Sequence, residues 1–306
     1  MADTDSPTVT VVVATCDRPG LLERAVAAVL AQDYPGGVEC VVVYDHVPVR
    51  PLDVRVPAGR TLRHMSNTHR RGLPGGRNTG VEVALGDLVA FCDDDDVWLP
   101  AKLSRQVDLL RQRPGAAAVG CGIRLQGPGR GRERHVRHDE VRLPDLLADR
   151  VMEVHSSTVL IRRATFAVTG PVDEDIPGGY GEDYEWLLRV AACGPIVIVP
   201  EVLVIVDWHG GSFFFGRWAT IVEATRYLLA HHPELRASRP GMARLHGQIA
   251  FALASGRRRR EALRELVRVV RFNPWEKRLP VTLAVASGLV SGERVLALAQ
   301  RWGRGV

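Results

Sequence analysis

Four consecutive carboxylates, Asp93, Asp94, Asp95 and Asp96, follow directly on the apolar run 88–92. Acids this close repel one another, and the repulsion raises their proton affinities unless a cation stands among them. Carboxylate oxygens at Asp-x-Asp spacing suit a hard divalent ion, Mg2+ or Mn2+. Such an ion is held by one or two protein carboxylates together with substrate phosphates. The same four residues also suit a solvated acidic loop capping the helix that opens near Leu99. Arg70, Arg71 and Arg77, within residues 67–80, offer guanidinium groups and a helix start to phosphate oxygens. A solvated basic loop has the same composition. The glycines of that stretch look superficially like a dinucleotide fingerprint. Their spacing is wrong, however, and no strand is predicted immediately before them.

Holding an acid cluster in place needs a rigid frame. Residues 88–92 have the length and apolar continuity of a strand buried on both faces, as in a parallel sheet covered by helices. Residues 8–14 are a β-branched run and a predicted central strand. After the loop 15–20, Leu21, Leu22, Ala25, Val26, Val29 and Leu30 recur at helical spacing. Residues 35–37 break that helix, and a second strand, 38–44, ends in Asp45. A βαβ start of this kind opens both loops on one crevice, where open α/β sheets bind ligands. Residues 124–142, rich in Gly and Arg, predict a mobile excursion. Residues 151–161 return to the sheet and bring His155, Ser156 and Ser157 near the crevice. Glu182 and Asp183 open a helix that buries Trp186, Leu187 and Val190 and ends at Gly194-Pro195. Acids in a first helical turn complement the helix dipole without any further role. Residues 196–199 and 202–206 read as two short strands.

The 306 residues, 46% hydrophobic and 25% charged, are enough for one large or two modest domains with a real core. No apolar run approaches the ~18 residues that span a bilayer. The N-terminus lacks the basic start and apolar stretch of a signal peptide. Five cysteines without CxxC spacing predict reduced, buried thiols in a cytoplasmic protein. The net charge of +5 favours anionic partners such as phosphates or a membrane face, and is too modest for nucleic acid. From residue 213 the composition turns helical, with segments near 216–231, 240–254, 257–272 and 275–302 broken at Pro233, Pro240, Gly256, Pro274 and Gly292. The third carries seven arginines between 257 and 271 beside Leu263, Leu266, Val267 and Val270. Such a basic amphipathic helix suits peripheral contact with a membrane at its inner face, or a partner. It equally suits the charged face of a packed helical appendage.

Several of these motifs, in this order, resemble glycosyltransferase family 2. They are Thr15-Cys16-Asp17-Arg18-Pro19, Asp45, Arg71-Gly72 with Arg77-Asn78, and the Asp run followed by Trp98-Leu99-Pro100. Ser156-Ser157-Thr158, Gly170, Asp173-Glu174 and the stretch from Gly181-Glu182-Asp183 to Arg189 continue the match, which covers about residues 8–215. The resemblance implies a GT-A-type α/β fold, a Rossmann-like mixed sheet flanked by helices. The catalytic domain would occupy 1–215 and an α-helical region 216–306. It also implies a metal-dependent inverting enzyme that moves a sugar from a nucleotide diphosphate sugar, a UDP-sugar first, to an acceptor hydroxyl.

Residue by residue, the resemblance puts Thr15, Asp17, Arg18 and Asp45 on the nucleotide, with Asp45 accepting from the base. Asp93 and Asp95 would hold Mg2+ or Mn2+ and the diphosphate, and Asp94 would lie near the ribose. Arg71 and Arg77 would lie close to the nucleotide or diphosphate. Asp183 would be the catalytic base with Glu182 beside it, and His209 a metal ligand or diphosphate contact. Two departures leave the choice of nucleotide open: Tyr44-Asp45-His46-Val47 stands for the usual Asp-Asp-Gly-Ser, and Cys16-Asp17 for Tyr-Asn. The acceptor is open among saccharide, lipid-linked saccharide, peptide and natural product. Two other readings remain. A nucleotidyltransferase would want a Gly- and Lys-rich phosphate loop that residues 15–20 do not supply. A non-catalytic nucleotide-sugar-binding module with a partner-recruiting helical tail would not need Asp93, Asp95 and Asp183 intact.

Overall fold

The computed structural model describes residues 6–127, 132–207 and 214–301, with residues 300 and 301 described by backbone alone. His209 and residues 128–131 of the predicted excursion lie outside them. Strand β1 (Val9–Thr15) is buried along its whole length, as its β-branched run requires. Helix α1 (Pro19–Leu30) follows, with a proline in the first turn where the missing N–H has no partner to lose. Strand β2 (Val38–Tyr44) runs parallel to β1 in a register that pairs Val9 with Val38 and Thr15 with Tyr44.

A third strand, β3 (Arg60–Ser66), lies parallel to β2 and directly precedes the glycine-rich stretch. This overturns the expectation that no strand stands there. Its sequence, Arg-Thr-Leu-Arg-His-Met-Ser, belongs to an edge strand that is half exposed, so it lacks the apolar run that marks an interior strand. Helix α2 (Leu73–Glu82) returns the chain to β4 (Leu88–Phe91), which pairs with the other side of β1. The remaining elements of the sheet region are β5 (Val97–Trp98), α3 (Lys102–Gln112), β6 (Ala118–Gln126), β7 (Arg132–Arg134) and β8 (Glu140–Val141). After helix α4 (Leu143–Ala148), nearly all of which belongs to a second compact unit, β9 (Leu160–Arg162), α5 (Arg163–Thr169), α6 (Glu182–Cys193) and β10 (Ile196–Asp207) complete it.

The strand order is β3-β2-β1-β4-β9-β6-β10-β5, with β7 added to β6 and β8 to β10. β9 is antiparallel to both β4 and β6, so the sheet is mixed. The chain leaves β1 toward β2 and returns to β4 on the opposite side. The carboxyl ends of β1 and β4 therefore flank the point where strand order reverses, the ligand position of open α/β sheets.

Three further expectations are corrected. Residues 124–142 are not wholly an excursion, because β6 extends to Gln126 and β7 and β8 pair back onto the sheet. The two short strands after Gly194 are one strand, β10, whose register shifts around Pro200, a residue that cannot donate to a ladder. Of the five cysteines, Cys40, Cys92 and Cys121 are buried free thiols, whereas Cys16 and Cys193 are exposed.

The chain forms two compact units. The first draws on Met1–Leu143, Val151–Glu174 and Glu182–Asp207 and holds the whole sheet. The second draws on Pro144–Arg150, Asp175–Gly181 and Trp208–Val306. It contains α7 (Trp218–His231), α8 (Arg239–Ser255), α9 (Arg259–Phe272), α10 (Arg278–Ser287) and α11 (Gly292–Arg301). Ile249, Phe251 and Leu253 of α8 pack with Ile221, Val222, Ala262 and Val285 in its core. The last predicted helix is broken at Gly288, which takes the left-handed conformation of a C-cap (φ 86°), rather than at Gly292, which opens α11. Among the described residues no helix is long and apolar enough to cross a membrane.

Candidate active site

The loops that leave β1 and β4 are laced together. Thr15 Oγ1 donates to Asp94 Oδ2 at 2.7 Å. Arg18 spans two acids: its Nε and Nη2 reach Asp94, and its Nη1 reaches Asp95 Oδ2 at 2.7 Å. Asp94 is buried, and burial pushes its carboxyl up to about 6 against the opposing pull of Thr15 and Arg18. Burial raises Asp95 as well.

Arg77, on α2, is 3% exposed. It donates to Asp93 Oδ1 at 2.8 Å and to Glu182 Oε1 at 2.7 Å, and its guanidinium lies 5.3 Å from the centre of the Phe91 ring. One buried cation thus joins the end of β4 to the first turn of α6. The half-buried Asp183 is close enough for its charge to act on Arg77, and its Oδ1 accepts from the Tyr184 amide at 2.8 Å. Asp93 is fixed further by Ser156 Oγ, 3.2 and 3.3 Å from its two oxygens, and by its own amide, which donates to Ser157 Oγ at 3.0 Å.

The Asp96 amide donates to the Asp93 carbonyl at 3.1 Å, which makes residues 93–96 a tight turn. That turn brings the Asp96 carboxylate, not that of Asp95, toward Asp93. Ligand atoms of Asp93, Asp96 and His155 all lie within 4.8 Å of one another. Burial first, and the Asp93 charge second, hold the Asp96 carboxyl well above the usual range. A buried carboxylate, Asp96, crowded against a partly exposed one, Asp93, fits a hard divalent cation, which would neutralise both. His155 fits less directly. Its Nδ1 accepts the Ser157 amide at 3.3 Å, so the neutral ring carries its proton on Nε2, and that proton must move before the ring can ligate.

Of the other residues singled out in the sequence, Asp45 accepts from Asn67 Nδ2 at 2.8 Å and from the Gly72 amide at 3.0 and 3.1 Å. It fastens the loop between β3 and α2. Arg71 on that loop is exposed. Asp17 is exposed in a left-handed conformation (φ 54°), its carboxylate 3.9 Å from Arg50. A small cleft beside it is lined by Thr15, Arg18, Tyr44, Arg50 and Leu52. The structure therefore gathers Thr15, Arg18, Asp94 and Asp95 at one point, and Asp93, Arg77, Glu182 and Asp183 at another on the same β4 loop. Glu182 is buried and its carboxylate engages Arg77, which suits it to positioning rather than to proton transfer.

The sequence placed Ser156 and Ser157 near the crevice and Asp96 in the acid cluster, but assigned none of the three a specific role. Asp96 had a signal, as the fourth acid of the run, but only the turn decides between it and Asp95. The two serines come from a segment more than sixty residues away, and their contact with Asp93 is not written in the neighbouring sequence.

A model described as Glycosyl transferase family 2 matches residues 10–168. The UDP-Glc:alpha-D-GlcNAc-diphosphoundecaprenol beta-1,3-glucosyltransferase WfgD of Escherichia coli is 24% identical over 106 residues, 35% of this chain and 42% of that protein. Three curated relatives are spanned over only 33–42% of their own length. Among solved structures, S. aureus TarS 1-349 in complex with UDP is similar with a TM-score of 0.55 and 16% identity, over 97% of this chain and 92% of that one. The mannosyltransferase PcManGT from Pyrobaculum calidifontis, in complex with GDP-Man and Mn2+, is similar with a TM-score of 0.57 and 20% identity, over 98% and 85%. At these identities the two structures bear on fold alone. The fold is the GT-A-type mixed sheet flanked by helices, with a helical C-terminal region.

Proposed function

The chain belongs to glycosyl transferase family 2, and on that premise we propose that it transfers a sugar from a nucleotide diphosphate sugar to an acceptor hydroxyl with inversion. The observation that carries this reading is the shared arginine. Arg77 ties Asp93 of the acid cluster to Glu182, the neighbour of Asp183, so the diphosphate end and the base end of one reaction face a single buried cation. Asp183 takes the proton of the acceptor hydroxyl as that oxygen bonds to the anomeric carbon. The bond from that carbon to the diphosphate breaks, and the leaving diphosphate takes the electron pair. Thr15 and Arg18 hold the loop that faces the nucleotide, and Glu182 positions Asp183 and Arg77.

Asp93 and Asp96 would hold Mg2+ or Mn2+, with Asp95 at hand if Arg18 releases it. Such an ion supplies neutralisation of the charge that develops on the diphosphate. A UDP-sugar is the first donor to test, and a lipid-linked saccharide the first acceptor, since both classes appear in the name of the E. coli relative.

The deciding experiment is Asp183→Asn, assayed by release of nucleotide diphosphate in the presence of acceptor. A positioned base contributes about 10²–10⁴-fold, so transfer should fall by that order while donor affinity, measured by calorimetry, stays within about twofold. A fully active variant removes Asp183 from the mechanism.

A further inference from the structure

Helix α9 buries one face and leaves the other without a protein partner among the described residues. Ala262, Glu265, Leu266 and Val269 face inward, and Leu266 and Val269 pack with Ala243 and Ala250 of α8. Leu263, Val267 and Val270 recur at intervals of four and three, which puts them on one outward stripe, and Val267 is 70% exposed. Trp275, just beyond the end of the helix, is 89% exposed. Leu289 is exposed beside the first turn, since the adjoining Gly288 lies against the Arg259 guanidinium: a Cβ there would stand 3.0 Å from Nη2. On α9 the apolar stripe spans Leu263 to Val270, about 10 Å at 1.5 Å per residue, with Leu289 exposed near the first turn and Trp275 just beyond the last.

The stripe is bordered by positive charge. Arg260, Arg264 and Arg271 are exposed, at one, three or four residues from its members, and they make no ion pair among the described residues. The acids of the helix are occupied elsewhere. Glu261 pairs with Arg258, and the buried Glu265 pairs with His246 and Arg268.

We propose that this face of α9, with Trp275 and Leu289 at its ends, is a docking surface for an anionic lipid bilayer. An amphipathic helix lies in the headgroup plane when aliphatic and Trp side chains project from one stripe and arginines border it. Trp is the side chain best suited to that interface, being apolar in body and polar at its N–H. Nucleic acid would leave the aliphatic stripe uncovered. A second copy of the same face would bring arginines against arginines. The inference rests on the helical unit alone and stands or falls apart from sugar transfer.

The test is flotation of the full chain with vesicles of phosphatidylcholine containing about 30% phosphatidylglycerol, against pure phosphatidylcholine, at low salt. Each arginine near an anionic surface contributes about fivefold, so the R260Q/R264Q/R271Q variant should bind about a hundredfold more weakly. Val267→Asp should also release the protein, and brominated lipid should quench a fluorescence component that Trp275→Phe removes. All these positions are exposed, and unchanged far-ultraviolet circular dichroism will establish that the variants fold. The proposal is overturned if the wild type does not float with anionic vesicles, if it floats equally with neutral ones, or if the triple variant binds as tightly as the wild type. It is also overturned if Val267→Asp abolishes self-association in the ultracentrifuge while vesicle binding is absent.

Discussion

Arg77 is a full charge taken out of water between two carboxylates, and it holds Asp93 and Glu182 by hydrogen bonds of 2.8 and 2.7 Å. Removing one partner of such a network leaves buried charge uncompensated, which costs about 3–5 kcal/mol. Arg77→Met should lower the unfolding free energy by that amount in urea titration. Adding Glu182→Gln should cost less than the sum of the two single changes, because both remove the same interaction. Among the described residues Lys102 is buried without a carboxylate partner in hydrogen-bond range: Nζ sits 3.6 Å from the centre of the Trp98 ring and donates to Gln106 Oε1 at 2.8 Å. Burial pushes its pKa down from 10.5 to about 8, which corresponds to about 3 kcal/mol of penalty on the charged form. The folded state binds fewer protons than the unfolded one between pH 8 and 10.5, so the penalty is complete below pH 8 and fades as pH rises through that window. Lys102→Met should therefore be more stable than wild type at pH 7, and its advantage should shrink when chemical denaturation is repeated at pH 9 and 10.

At the scale of elements, the glycines of α2 explain themselves once the helix is seen lying on β1. A Cβ on Gly80 would stand 2.2 Å from Val12 Cγ1, and one on Gly76 would stand 2.8 Å from Ala14 Cβ. A Cβ on Gly75 would meet the Arg70 carbonyl oxygen at 2.0 Å. Their pattern resembled a dinucleotide fingerprint because both motifs need close approach of a helix to a strand. Gly80→Ala should cost about 1–3 kcal/mol by overpacking, despite its better helix propensity. Gly20→Ala, with open space around it in the first turn of α1, should be neutral or stabilising by about 0.4–1 kcal/mol. Thermal melts of the two variants side by side check the contrast. Elements whose residues are buried on both sides, β1, β2 and β4, were legible from apolar continuity alone. β3 was not, because an edge strand keeps polar residues. The sequence split β10 in two because Pro200 interrupts its pattern, whereas a bulge lets the strand continue past it.

At the scale of the whole molecule, the loops after β1, β2 and β4 open at the same end of one sheet, so a ligand that bridges them should stabilise the fold by mass action. A UDP-sugar at about a hundred times its dissociation constant, with Mn2+ present, should add about 2.7 kcal/mol of stability. Thermal-shift measurement over a panel of nucleotide sugars would identify the donor by the largest rise, and a chelator should abolish it. An undiminished shift in chelator would show that Asp93 and Asp96 bind no required cation.

The linear chain determined its fold class and the identity of most groups at the candidate site, because strand burial, turn chemistry and acid clusters are written in neighbouring residues. Tertiary structure alone decided their pairing. A one-turn reversal chose Asp96 over Asp95 as the companion of Asp93, and a helix packed on β1 carried Arg77 to carboxylates 16 and 105 positions away. Ser156 and Ser157 reached Asp93 through the sheet. Pairings of this kind depend on distances between segments remote in sequence, and these exist only after the sheet has closed around them.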